Sequence, residues 1–272
     1  MRRPRILVST ELFTLAEVRC SAVRDGWTEP EPVNGFALVS PSRGMYLRRV
    51  DGREHLVDTT SAYVEEPGCV QQIRHPRGED RCAVIALSTD LMTSIGGGEP
   101  SIGDHLLRVD SYVNSQWRLL IAAVDRQDVD GEITERLLEL LVTVIQQVHP
   151  QRIDAGRPAT AEVHDRIVNE VRLLLHDNPK VSLIEMSREL SVSPHHLSRI
   201  FKRQAGISFS RYRNTLRVGR GLSHPSDGHP DLAQLAIELG FADHAHFSRT
   251  VRELTGFTPT GLRQRLAAPP SS

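Results

Sequence analysis

The chain has 272 residues, 39% hydrophobic and 25% charged, with a formal net charge of −1. That length suits two average domains, and the balance excludes disordered and fibrous classes. No apolar run approaches the roughly 20 residues that a membrane-spanning helix needs. At the start, Arg2, Arg3 and Arg5 are followed only by Ile6, Leu7 and Val8 before Glu11. That is too little for a secretory h-region, so a cytoplasmic protein with no membrane partner is expected.

Cys20, Cys69 and Cys82 are odd in number and show no C-x-x-C spacing, which fits neither a disulfide framework nor a zinc finger. Of the 33 basic residues only Lys180 and Lys202 are lysines, which reads as a GC-rich coding bias. The net charge hides an asymmetry: residues 160–272 hold 15 Arg and Lys against 11 Asp and Glu, whereas residues 1–159 hold 18 against 23. A basic second half beside an acidic first half suits a nucleic-acid-binding module joined to one that does not bind nucleic acid.

In chain order, six short strands are expected in the first 90 residues: Phe36–Ser40, Gly44–Val50, Glu54–Asp58, Ala62–Glu65, Val70–Arg74 and Ala83–Leu87. The turn formers Ser-Pro-Ser-Arg-Gly, Asp-Gly, Glu-Pro-Gly and His-Pro-Arg-Gly separate them. Strands at this spacing favour an antiparallel barrel or sandwich. A Gly-rich loop, Ile95–Gly98, comes next, and then helices near Ser111–Asp125 and Ile133–Val148. The second of these is apolar over more than one stripe (Ile133, Leu137, Leu138, Leu140, Leu141, Val144, Ile145, Val148), so it is buried on more than one side. A dimer interface is the expectation, with packing inside the domain as the alternative. His149–Thr160, with two prolines and a glycine, is the expected linker. An amphipathic helix follows (Val163, Ile167, Val171, Leu174, Leu175), ending near Asp177.

An internal repeat then carries the sharpest signal. Leu197-Ser198-Arg199 recurs as Phe247-Ser248-Arg249 50 residues later, and Ala205-Gly206-Ile207-Ser208 recurs as Thr255-Gly256-Phe257-Thr258 at the same spacing. A short helix and a tight turn precede each: Leu183–Leu190 then Ser191-Val192, and Leu232–Leu239 then Gly240-Phe241-Ala242. Ser193, followed by Pro194, and Asp243 are capping residues for the longer helices. This is the helix-turn-helix order, in two units, 183–205 and 232–255. Small Ser187 and Ala236 lie where the crossing helices approach. Leu197, Ile200 and Phe201 face the core, leaving His195, Ser198, Arg199 and Lys202 outward. In the second unit Phe247 and Val251 go inward, while His244, Ala245, Ser248, Arg249 and Arg252 stay available. Arg pairs bidentately with guanine, and Ser or His bonds base edges, so this face suits a major-groove reader. A solvated helical hairpin is the bland alternative, and two matched units weigh against it.

Residues 181–266 resemble the DNA-binding domain of the AraC/XylS family of bacterial transcription regulators. The stretches that carry the resemblance are LSRIFKRQAGISFSRYRNTLRVGRGL and DLAQLAIELGFADHAHFSRTVRELTGFTP. It implies an all-α domain, 161–268, whose two units are bridged by one long helix at about Phe209–Leu222. Base contacts are implied for His195, Ser198, Arg199, His244, Ala245, Ser248 and Arg249. Phosphate contacts are implied for Lys202, Arg203, Arg211, Arg217 and Arg252, which position a protein without reading sequence. Gly219 and Gly221 depart from a good helix, each costing about 1 kcal/mol relative to Ala.

The first half, 1–148, is similar to the cupin-like effector and dimerisation domain of such regulators, so the expected fold class is α+β with a β barrel ahead of the helical domain. Where metal-binding cupins place a His-x-His pair, this chain reads WTEPEPV at Trp27–Val33. No metal, no cofactor and no catalytic residue are therefore expected. A thiol or metal switch from Cys20, Cys69, Cys82, His55 and His75 is a lesser alternative. The partners implied are promoter DNA, the sigma or alpha subunit of RNA polymerase, a small effector and a second copy of the chain. An activator is expected; the alternatives are a repressor or an architectural DNA-binding protein. An Ada-type repair protein is disfavoured, because its zinc site needs four thiolates, and no P-loop, G-x-S-x-G or H-E-x-x-H pattern occurs.

Overall fold

Paired Pro, Gly and Asp turns divide the first part of the chain into strands, and the capped amphipathic stretches of the second part become helices. The computed structural model describes residues 2–20, 26–95, 106–125, 139–141, 144, 158–222 and 231–266. They fall into two compact units, drawn from Met1–Pro150 with Gln264–Ser272 and from Gln151–Arg263.

The first unit contains β1 (Arg2–Ser9), β2 (Phe13–Cys20), β3 (Glu31–Pro32), β4 (Phe36–Arg43), β5 (Met45–Val50), β6 (Arg53–Asp58), β7 (Ser61–Glu65), β8 (Val70–Arg74), β9 (Asp80–Leu87), helix α1 (Thr89–Ile95), β10 (Leu107–Arg108) and helix α2 (Ser111–Asp125). All ladders are antiparallel and form two sheets, ordered β1-β2-β9-β4-β7-β10 and β3-β8-β5-β6. The six expected strands are β4 to β9, and α2 has the expected bounds. Four strands and α1 were not expected. β1 is an edge strand with three arginines and a proline, so it lacks the apolar alternation that marks a half-buried strand.

The larger sheet is covered on both faces. Phe13, Leu15, Leu38, Val64, Ile85 and Leu87 pack with Val113, Trp117 and Leu120 of α2. Residues of the other parity, Ala37, Val39, Tyr63 and Cys82, meet Tyr46, Val57 and Ile73 of the smaller sheet. Burial on two faces explains why Ala83–Leu87 reads as a continuous apolar run. Of the expected Ile133–Val148 helix, only Glu139–Leu141 and Val144 are described; they are helical, and Leu141 and Val144 are buried in the Trp117 cluster. These two side chains serve intradomain packing. The rest of that helix, the Gly-rich loop beyond Ile95 and residues 149–157 of the expected linker lie outside the described residues.

The second unit is helical: α3 (Pro158–Asp177), α4 (Leu183–Glu189), α5 (Pro194–Ala205), α6 (Phe209–Leu222), α7 (Leu232–Glu238), α8 (His244–Thr255) and α9 (Pro259–Leu266). Val168, Val171 and Leu175 of α3 pack with Met186, Leu197, Ile200, Phe201, Tyr212 and Leu216. The aromatic centre of this core is tilted edge to face, with Phe201 5.8 Å from Phe209 and 5.3 Å from Tyr212.

The two glycines of α6 differ. A Cβ on Gly221 would sit 2.8 Å from Leu239 Cδ1, so the helix passes close to the 232–255 helix-turn-helix and a side chain there would have to push Leu239 aside. Nothing lies within 4 Å of the Cβ position of Gly219. Gly219→Ala is therefore expected to raise unfolding stability by about 0.5–1 kcal/mol. Gly221→Ala should lower it. Urea melts of the two variants check both signs.

Candidate nucleic-acid interface

Each short helix and each longer helix starts on a side-chain cap. Ser182 and Glu185 form a capping box on α4, with Glu185 N–H donating to Ser182 Oγ at 3.2 Å and Ser182 N–H to Glu185 Oε2 at 2.8 Å. Asp231 caps α7 through Ala233 N–H at 2.9 Å. Ser193 caps α5 and Asp243 caps α8, accepting from the N–H groups of His196 at 3.2 Å and His246 at 2.6 Å. Gly206 (φ 71°) and Gly256 (φ 80°) end α5 and α8 in the left-handed conformation.

The two turns share one hydrogen-bond pattern. Ser191 N–H donates to Arg188 O and Val192 N–H to Ser187 O, as Gly240 N–H does to Ile237 O and Phe241 N–H to Ala236 O. Ser191 (φ 54°) and Gly240 (φ 82°) occupy the equivalent left-handed position. The second turn then has one more residue before its cap, Ala242. Ser187 and Ala236 are both buried, so the close approach of the helices expected there is present.

On α5, Leu197, Ile200 and Phe201 are buried. His195, Arg199, Lys202 and Arg203 are exposed and Ser198 is half-buried. On α8, Phe247 and Val251 are buried, His244, Ala245, Arg249 and Arg252 are exposed, and Ser248 is half-buried with its Oγ 3.2 Å from His244 Nε2. Helix α3 runs beside α5: Arg203 lies 2.9 Å from His164 Nδ1, Gln204 donates to Asp165 at 2.7 Å, and the His164 and His196 rings are 5.5 Å apart. Desolvation, then the neighbouring Arg203, pushes the His164 pKa down. The place of His164 beside α5 was not legible in the sequence, because its partner Arg203 lies 39 residues away.

One expected phosphate contact is corrected. Arg211 is exposed, but Arg217 is only 5% exposed and faces inward. Its Nε donates to Pro179 O at 2.8 Å, a second nitrogen to Lys180 O at 3.5 Å, and its guanidinium lies over the Phe241 ring at 5.5 Å. Arg213 bonds Val181 O, and Arg220 bonds His176 O and Asp177 O. Three arginines on one face of α6 thus satisfy carbonyls at the end of α3 and in the loop after it, groups that a helix end leaves orphaned. Burial, with Arg213 adding, pulls the Arg217 pKa down to about 10, which leaves it charged at neutral pH. The i, i+4, i+7 spacing of Arg213, Arg217 and Arg220 is the signal that marks this inward face.

The first unit holds a second feature, a cavity of about 150 Å³ lined by Tyr46, Tyr63, Glu65, His75, Asp80 and Cys82 among others. Tyr46 Oη donates to Tyr63 Oη at 3.1 Å. Cys82 Sγ lies 3.6 Å from Asp80 Oδ1, and burial, with Asp80 next, pushes its thiol pKa up. Burial presses the His75 pKa down, but Asp80 and Cys20 outweigh it and leave it at about 9. Arg48, also buried, donates to Gln71 Oε1 at 2.9 Å, and Gln71 donates to Glu65 Oε1 at 2.6 Å. Cys69 and His55, the other members of the switch considered above, do not line this cavity. Cys69 is half-exposed while Cys20 and Cys82 are buried. Iodoacetamide at pH 8 is therefore expected to alkylate Cys69 first and Cys82 last, as read by peptide mass.

Comparison with known proteins places the helical unit. A family model described as a helix-turn-helix domain matches residues 186–265. An uncharacterized HTH-type transcriptional regulator of Bacillus subtilis, YtdP, is 28% identical over 119 residues, 43% of this chain and 15% of that protein. The arabinose operon regulatory protein of Escherichia coli is 26% identical over 137 residues, 49% of this chain and 47% of its own length. The C-terminal unit is an AraC/XylS-type DNA-binding domain. A solved transcriptional regulator of Chromobacterium violaceum with an AraC-type DNA-binding domain is 27% identical, covering 39% of this chain and 96% of that one at a TM-score of 0.36. The chain thus spans less than half the length of these curated relatives. Among the described residues, no helix is long and apolar enough to cross a membrane.

Proposed function

We propose that the chain is a sequence-specific, DNA-binding transcription regulator rather than an enzyme, working in the cytoplasm as a homodimer. The observation that carries this is the matched pair α5 and α8: each is capped, buried along one side, and lined along the other by exposed Arg and His with a half-buried Ser beside them. His195, Ser198 and Arg199 read bases in one groove segment, and His244, Ala245, Ser248 and Arg249 read the next, Ala245 through a thymine methyl. Lys202, Arg203, Arg211 and Arg252 hold phosphates. The two sheets form a cupin-like effector domain whose cavity takes a small molecule, and the bound regulator activates by touching the sigma or alpha subunit of RNA polymerase.

Selection from a random duplex library, followed by footprinting on the enriched promoter, tests the reading. One extended site with two adjacent contacted grooves per protomer is expected. Equal affinity for enriched and random duplexes would overturn it. Footprints beside the −35 element are expected for activation, and footprints covering the start region would instead make it a repressor.

A further inference from the structure

Residues from β2, the turn between β8 and β9, and β9 converge in the wall of the cavity. Cys20 and Asp80 are direct cross-strand partners of β2 and β9, so their side chains leave the same face of the sheet. His75 follows β8, and the short connection to β9 brings it onto Asp80, with His75 Nδ1 2.5 Å from Asp80 Oδ2. All three residues are buried, and their donor atoms lie within 4.8 Å of one another. Although an ion-pair distance separates them, neither Nδ1 nor Oδ2 makes an aligned hydrogen bond. Two desolvated ligand atoms of opposite charge therefore meet beside the Cys20 thiol, and a cation that displaces the His75 proton would be held by all three side chains.

We propose that Cys20, His75 and Asp80 form a binding site for one divalent transition metal of the zinc class. Thiolate, imidazole and carboxylate together are the donor set of zinc and cobalt(II), and they disfavour magnesium and calcium, which take oxygen alone. A zinc ion holds such ligands at about 2.0–2.3 Å and so about 3–4 Å from each other. The three donor atoms lie within 4.8 Å of one another, and the 2.5 Å His75–Asp80 contact has to open by about 0.5–1.5 Å to reach that spacing. The surroundings prepare the carboxylate. Cys82 Sγ donates to Asp80 Oδ1, which leaves Oδ2 for the ion. Gly44 lets the strand before β5 pass under Asp80, where a Cβ would sit 2.9 Å from its Cα. Three protein ligands leave a fourth position, and it opens on the cavity, where a water or an effector oxygen completes the shell. This assignment goes beyond the DNA-reading proposal and stands or falls separately from it.

The metal-free full chain titrated with cobalt(II) is expected to bind one ion and to develop a thiolate-to-cobalt charge-transfer band that zinc abolishes. Cys20→Ser should lose the band, His75→Gln and Asp80→Asn should each weaken zinc binding more than about tenfold, and Cys69→Ser should leave it unchanged. No thiolate band, or an undiminished band in Cys20→Ser, would overturn the site. Should those variants fold poorly, the unaltered protein decides. Saturating zinc is expected to slow alkylation of Cys20 at least about tenfold and to spare Cys69, and equal Cys20 rates with and without zinc reject the proposal.

Discussion

Replacing Arg199 by alanine is expected to weaken binding to the selected site by about 5- to 150-fold, or about 1–3 kcal/mol, while binding to random DNA changes far less. The guanidinium stands exposed on α5, four residues from exposed His195 and beside half-buried Ser198, with His196 Nδ1 at 3.5 Å. It is therefore available for two parallel bonds to a guanine edge, and lysine, a point charge, does not replace that geometry. Arg199→Lys should restore little of the loss. Lys202→Ala and Arg252→Ala should behave in the opposite manner, weakening all duplexes alike and lowering the salt slope of log K by about 1 each. Titrations of one specific and one random duplex at three salt concentrations separate the two behaviours. Equal loss on both duplexes for Arg199→Ala would remove its base-reading role.

The second large effect concerns stability. Arg217→Met is expected to destabilise the helical unit by about 2–4 kcal/mol in urea, since it deletes charge-assisted bonds to Pro179 O and Lys180 O and a ring contact with Phe241. The side chain is buried, so the orphaned carbonyls are not simply handed to water. Gly240, which follows α7, sits against the same guanidinium, and a Cβ there would lie 3.2 Å from a terminal nitrogen. Gly240→Ala should therefore add to the loss less than independently, because both changes disturb one contact. A variant with unchanged stability but a salt slope lower by about 1 would return Arg217 to the phosphate contacts.

What the sequence revealed follows from the range of the interactions involved. Caps, turns and the 50-residue repeat are local, so the bounds of α5 and α8 are legible from Ser193-Pro194, Asp243 and Gly256, whereas those of α6 followed from the family resemblance. Arg217 was misassigned because its partners are carbonyls 37 and 38 residues away, and arginine on a DNA-binding domain reads first as a phosphate ligand. The Cys20–Asp80 pairing was out of reach for the same reason: it needs β2 to be recognised and its register with β9 to be known. β1 and β3 were missed because one is arginine-rich and the other has two residues.

The unequal outer faces of α5 and α8 give any stretch of DNA they bind a direction. A reader built from two copies of one chain meets its operator as a mirror of itself and fits it either way round. On the proposed reading, the half that would meet His195 and Arg199 is chemically unlike the half that would meet Ala245 and Arg249, so each protomer's target would have a head and a tail. Turning that target end for end in a promoter, with its base composition and distance to the start site kept, yields a different sequence to this protein. It also sends whatever is attached to the domain the opposite way along the helix. Orientation, as much as affinity, then decides whether a bound copy has anything to touch.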